Sequence, residues 1–162
     1  MIKPGDSVPA VSVKLIDQTG TSDATSDSVL GQGRVVFFAV PGAFTPTCHV
    51  NHLPGFLANA DKLKAQGVDR IICGSVNDHH VMKTWGEATD ALGKIAFLAD
   101  GEAALATAMG LGRQMGGMGT RFGRSAMLIE DGVVQQVFVE DAPGVNATGA
   151  PAILMALEAS QS

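Results

Sequence analysis

The chain has 162 residues, which bounds it to a single domain spanning 1–162. Its 46% hydrophobic and 17% charged content excludes a disordered chain, and a net charge of −5 with no lysine or arginine run argues against nucleic-acid and acidic-membrane partners. Two cysteines are too few for a disulfide framework, no stretch nears the roughly 20 apolar residues of a membrane span, and the N-terminal MIKPGDSVPA lacks an apolar signal core, so a reducing, cytoplasmic setting is expected.

In chain order, residues 8–16 alternate loosely and predict a first strand. Residues 17–33 are rich in Gly, Ser, Thr and Asp and read as loop. Residues 35–40 (VVFFAV) are apolar without alternation, as suits a strand covered on both faces. A helix follows, with Thr45 as its N-cap, Pro46 at its first position and Leu53, Phe56, Leu57, Ala60 and Leu63 at helical spacing. Pro54 lies inside that run and should kink it or split it in two. A second strand is expected at 70–76 and a helix at 78–86, capped by Asn77 or Asp78, with His79 and His80 at its start. A third strand at 95–99 leads to an Ala-rich helix at 101–109, with Asp100 and Glu102 as first-turn acids, and then to a glycine-rich loop at 112–123. Residues 126–130 and 133–139, joined by Asp131-Gly132, predict a hairpin, and Pro151 opens a last helix. Strands alternating with helices imply an α/β fold: a mixed central sheet, helices on both faces, and a closing hairpin and helix.

The chemistry concentrates in residues 41–48, PGAFTPTC. With Thr45 as N-cap, Cys48 stands at the third helical position, where unpaired N–H groups and the helix dipole favour an anion. A free thiol has a pKa of about 8.5, and helix N-termini or nearby cations bring it to about 3.5–7.5, releasing the nucleophilic thiolate. From cap geometry alone, an ordinary half-buried thiol is an equal reading.

PGAFTPTC with the following HLPGF (residues 52–56) resembles the peroxidatic motif of peroxiredoxins, most closely the type II, or atypical, peroxiredoxin-five-like branch. Pro41, Thr45 and Cys48 match the family pattern position by position. SVND at 75–78, Trp85-Gly86, LADG at 98–101 and Arg124 ahead of the Asp-Gly hairpin also look like family landmarks, so the resemblance covers nearly the whole chain. It implies a thioredoxin-like fold and a thiol peroxidase reducing hydrogen peroxide and organic hydroperoxides, with no metal and no organic cofactor. Cys48 would attack and become a sulfenic acid; Thr45 would bond the thiolate and a peroxide oxygen; Arg124 would hold the thiolate and the separating oxygens; Pro41 would shield the site from water. Glutaredoxin with glutathione, or thioredoxin, would recycle it, and the protein would form a homodimer near the active site.

Other side chains carry weaker signals. Ser125 and Gly123 depart from the family pattern beside Arg124, which keeps Arg121 as a lesser candidate. Cys73 stands where plant type II members keep a resolving cysteine, but a buried core thiol is the competing reading. Animal members keep theirs in the C-terminal segment, where this chain has Ala147. His49 and His52 flank Cys48 without the second cysteine cluster a zinc site would want, and His52 is the one that could orient helix residues. Phe44 and Trp85 read as core or subunit-contact residues. A thiol–disulfide oxidoreductase would need C-x-x-C, but Asn51 and Thr45 occupy those places. A peroxide sensor using the same Cys48 without turnover is the alternative that sequence leaves open.

Overall fold

β3 (Arg34–Val40) is the strand on which the molecule is assembled. Val36, Phe38 and Val40 point into one core and Val35, Phe37 and Ala39 into another, which is why the run does not alternate. A computed structural model describes residues 1–140, 142 and 144–160. Seven strands form one mixed sheet in the order β2-β1-β5-β4-β3-β8-β9. They are β1 (Ser12–Asp17), β2 (Gly20–Thr25), β3, β4 (Arg70–Ser75), β5 (Ala96–Ala99), β8 (Ser125–Glu130) and β9 (Val133–Val139). β3, β4 and β5 run parallel, as two β-α-β crossovers require, and the other neighbours pair antiparallel.

Helices cover both faces. α2 (Leu53–Ala65), α3 (His79–Ala88) and α5 (Ala150–Ser160) bury Phe56, Leu63, Met82, Trp85, Ile153 and Leu157 against the first core. α1 (Ser26–Leu30) and α4 (Ala104–Met109) bury Val29, Leu30, Leu105 and Met109 against the second. The expected α/β class, the hairpin at Asp131-Gly132 and the closing helix are all present.

Several expected boundaries move. The first strand begins at Ser12 rather than residue 8. Residues 17–33 are not a loop: they hold β2 and α1. β2 (GTSDAT) is a largely exposed edge strand, so its polarity imitates a loop while six register pairs tie it to β1. The glycine-rich stretch 112–123 folds into β6 (Gly112–Gln114) and β7 (Thr120–Phe122), a small separate sheet around a 3-10 turn at Gly116–Met118. α4 starts at Ala104, not at 101. The Asp100 carboxylate lies buried ahead of it and accepts the Leu105 and Ala106 N–H groups at 3.0 and 2.9 Å, filling the place of a cap. Asp78 caps α3 by accepting the Val81 N–H, so His79 and His80 open that helix without capping it.

Candidate active site

β3 delivers the chain to Pro41, and the next residues fold back sharply over the sheet's end. Gly42 is buried there: a Cβ would lie 3.0 Å from Thr45 Cγ2 and 3.4 Å from Arg121 Nη1. Phe44 adopts φ +62°, a conformation uncommon outside glycine, and stays 47% exposed. Helical hydrogen bonding starts at Thr45, whose carbonyl accepts the His49 N–H at 2.8 Å, and Pro46 follows in helical conformation, as its sequence position predicts. The Thr45 hydroxyl does not cap that turn. It donates to the Gly42 carbonyl at 2.6 Å and so braces the turn it belongs to.

The segment around the sulfur is wider than an α-helix. Cys48–His52 is a π-helical turn, and the Leu53 N–H reaches back to the Cys48 carbonyl. Pro54, which cannot donate, then sits in the first turn of α2. The expected break at Pro54 is thus realised as a change of helix type just ahead of it.

Cys48 is fully buried. Arg124, which immediately precedes β8, donates from Nη2 to its Sγ at 3.1 Å, a contact that a thiolate accepts more strongly than a thiol. The other terminal nitrogen, Nη1, lies 2.9 Å from His52 Nδ1. Arginine can only donate, so Nδ1 is an acceptor and the ring proton sits on Nε2. Nε2 donates to the Thr148 carbonyl at 2.8 Å. Burial, with the Arg124 charge beside it, holds His52 down at a pKa of about 4, against the upward pull of the Thr148 carbonyl and Glu140. Thr148 is itself anchored: its N–H and hydroxyl donate to Glu140 Oε2 at 2.9 and 2.6 Å, and the Asn146 and Ala147 N–H groups also bond that carboxylate. Burial would raise the Glu140 pKa, but these four donors outweigh it and lower it.

Arg121 does not reach the sulfur. It donates to the carbonyls of Met118 (2.9 Å), Val76 (3.0 Å) and Pro41 (3.4 Å), stitching three loops together beside the site. Of the two arginines, Arg124 is therefore the one brought to Cys48. Cys73 lies inside β4, fully buried between register partners Phe38 and Phe97. Burial, and secondarily nearby Cys48, push its thiol pKa well up, with Arg124 opposing. Both cysteines are free. Ala147 is exposed on the loop before α5. Trp85 is buried and donates to His49 Nδ1 at 2.9 Å, and Phe44 stacks on the His49 ring. Among the described residues, no group of three or more His, Cys, Asp or Glu side chains is placed to hold a metal.

A cavity of about 440 Å³ opens on the Arg124 side of the site, lined by Pro41, Thr47, Arg113, Met115, Arg124 and Glu140 among others, while Cys48 itself lies buried behind that wall. A small ligand entering it would meet Arg124 at the cavity wall. The arrangement provides a buried nucleophile with a fixed cation aimed at it, which suits displacement on an atom whose leaving group gains negative charge. The roles of Glu140 and Thr148 had no signature in the sequence. That of His52 had a faint one, since position 52 is one helical turn from 48 and shares its face.

The Redoxin family model matches residues 3–154. Peroxiredoxin-2B of Arabidopsis thaliana is 40% identical over 159 residues, covering 96% of this chain and 98% of that one. Reduced Prx3 from Vibrio vulnificus in complex with hydrogen peroxide superposes with a TM-score of 0.91 at 43% identity, over 97% of this chain and 99% of that one. Peroxiredoxin 5 from Alvinella pompejana gives 0.85 at 31% identity, over 98% and 99%.

Proposed function

This chain belongs to the Redoxin family as a type II peroxiredoxin, a thiol-dependent peroxidase with Cys48 as its peroxidatic residue, and from that premise we propose how the site works, on what, and with which reductant. Its substrates are hydrogen peroxide and small organic hydroperoxides. The Cys48 thiolate attacks the distal oxygen, the O–O bond breaks, and the departing oxygen takes a proton to leave as water or alcohol. Cys48 is left as a sulfenic acid. Arg124 is the catalytic cation: its 3.1 Å bond to Sγ supports a thiolate, and the same guanidinium stabilises charge developing on the separating oxygens. The Thr45 hydroxyl, whose proton is engaged by Gly42, presents its oxygen as an acceptor for the peroxide O–H. Pro41, at the cavity wall, limits water around the sulfur. The peroxide held by the Vibrio vulnificus relative supports the substrate class. The observation that carries the reading is the short Arg124–Cys48 contact.

The sulfenic acid is returned to thiol by an external thiol, either glutathione with glutaredoxin or thioredoxin. Complete burial of Cys73 and its raised pKa favour this over attack by Cys73, which serves as a core thiol. A reducing cytoplasm supplies such reductants. Two copies pair across the face bearing Phe44, so the active protein is a homodimer. A peroxide sensor would share the first step but not the turnover. The test is steady-state peroxide reduction by wild type and Cys73→Ser, with thioredoxin and separately with glutathione plus glutaredoxin. Sustained turnover of both proteins with at least one reductant is expected. Reaction limited to one equivalent of peroxide would favour the sensor, and selective loss of thioredoxin turnover in Cys73→Ser would make Cys73 the resolving thiol.

A further inference from the structure

Arg124 cannot orient itself. A long arginine side chain has several staggered rotamers available, and the contact with the sulfur needs it held in the observed one. Among the described residues, the acceptor for the other terminal nitrogen is His52 Nδ1, on a ring that is 1% exposed and packed at a tilt against Phe38 and Phe56. That ring is fixed in turn from its far side. The Thr148 carbonyl takes the Nε2 proton, which leaves Nδ1 as an acceptor, and the Glu140 carboxylate gathers three N–H groups and a hydroxyl from residues 146–148 to hold that carbonyl in place. The charged groups facing His52 are Arg124 and Glu140, and Cys48 opens the same π-turn.

We propose that His52 is a positioning residue for Arg124, and that the Glu140-anchored loop at 144–149 sets the reactivity of Cys48 through it. His52 touches neither sulfur nor peroxide; it acts only through the guanidinium, so the inference rests on the catalytic role given above to Arg124. The loop is exposed at Asn146 and Ala147, so whatever shifts it shifts the far end of this relay. The chain of bonds links the π-turn, the start of β8, and the neighbouring end of β9 and approach to α5.

The side-chain chemistry gives a graded test. In His52→Asn the amide reaches about as far as Nδ1 and keeps an acceptor for Arg124. In His52→Gln it reaches about as far as Nε2, keeping the Thr148 bond and losing the Arg124 one. Stopped-flow rates of Cys48 oxidation by hydrogen peroxide are measured for both variants and for Glu140→Gln, each in wild-type and Arg124→Ala backgrounds. Losing a hydrogen bond to a charged group predicts a fall of about tenfold or more in His52→Gln and a smaller one in His52→Asn. Glu140→Gln, which lies outside the core, is expected to slow oxidation about threefold and serves if the His52 variants do not fold. In the Arg124→Ala background each of these losses should shrink to less than about twofold, because nothing is left to position. Equal losses in both backgrounds, or no loss beside wild type, would overturn the proposal. The reading beneath it fails separately, if Arg124→Ala alone oxidises at the wild-type rate.

Discussion

Arg124 occupies both terminal nitrogens at once, one on the Cys48 sulfur and one on the His52 ring. A lysine could supply charge at that place but not two divergent donors in a rigid plane. Arg124→Ala should therefore lower the rate constant for hydrogen peroxide about 10²–10³-fold, the usual loss for a donor aimed at developing charge. Arg124→Lys should recover only part of it, and a full recovery in stopped-flow assays would show that charge without the fork suffices. His52 carries a second expectation, about stability. Its ring is neutral in the fold with a pKa of about 4, whereas an unfolded histidine titrates near 6.5. As pH falls from 6.5 towards 4 the unfolded chain takes up a proton that the native state refuses, so stability is lost across that window, by up to about 3 kcal/mol. Urea unfolding of wild type and His52→Asn should show the slope in wild type and a flatter profile in the variant. At this scale the nucleophile and its arginine were legible through the family resemblance that PGAFTPTC and Arg124 carry, whereas cap geometry alone left Cys48 open. The sequence did not reveal Glu140 or Thr148, whose part depends on a loop that comes to rest against His52 only in the folded chain.

The elements show the same division. β3 and the 126–130 and 133–139 strands were legible because apolar runs and an Asp-Gly turn are strong local signals. β2 was not, because an edge strand with one exposed row is written in polar residues, and neither was the π-turn, which differs from an α-turn by one bond closing five residues back rather than four. Strand β4 holds a tighter constraint than its sequence suggests. A Cβ on Gly74 would stand 2.6 Å from the Phe37 ring, which is fully buried and packed edge-on against Phe122. Gly74→Ala should destabilise the protein by about 1–3 kcal/mol through overpacking. Chemical denaturation would read this directly, and an unchanged midpoint would mean that the Phe37 ring has room to move.

Across the whole molecule, the rim of the site carries large apolar side chains in the open: Phe44 at 47% exposure, Met118 at 41% and Val50 at 74%. Met118 reaches towards Gly42 in the same turn that presents Phe44. If two copies pair here, Phe44→Asp should shift the protein from dimer to monomer in sedimentation velocity at micromolar concentration. An unchanged distribution would place the interface elsewhere or remove it. The pairing of β3 with β8 has a consequence in time rather than space. Arg34 and Glu130, at one end of that ladder, are 96 residues apart in the chain, and the ladder's other end sets Arg124 beside Cys48. Closing so long a loop is slow relative to forming local turns. The helix bearing Cys48 and the β3–β4 pair can assemble first, yet the sulfur meets its guanidinium only once β8 has paired with β3. A nascent or refolding chain should accordingly bury its single tryptophan, Trp85, before it can consume peroxide, and the enzyme stays chemically quiet until its topology is complete.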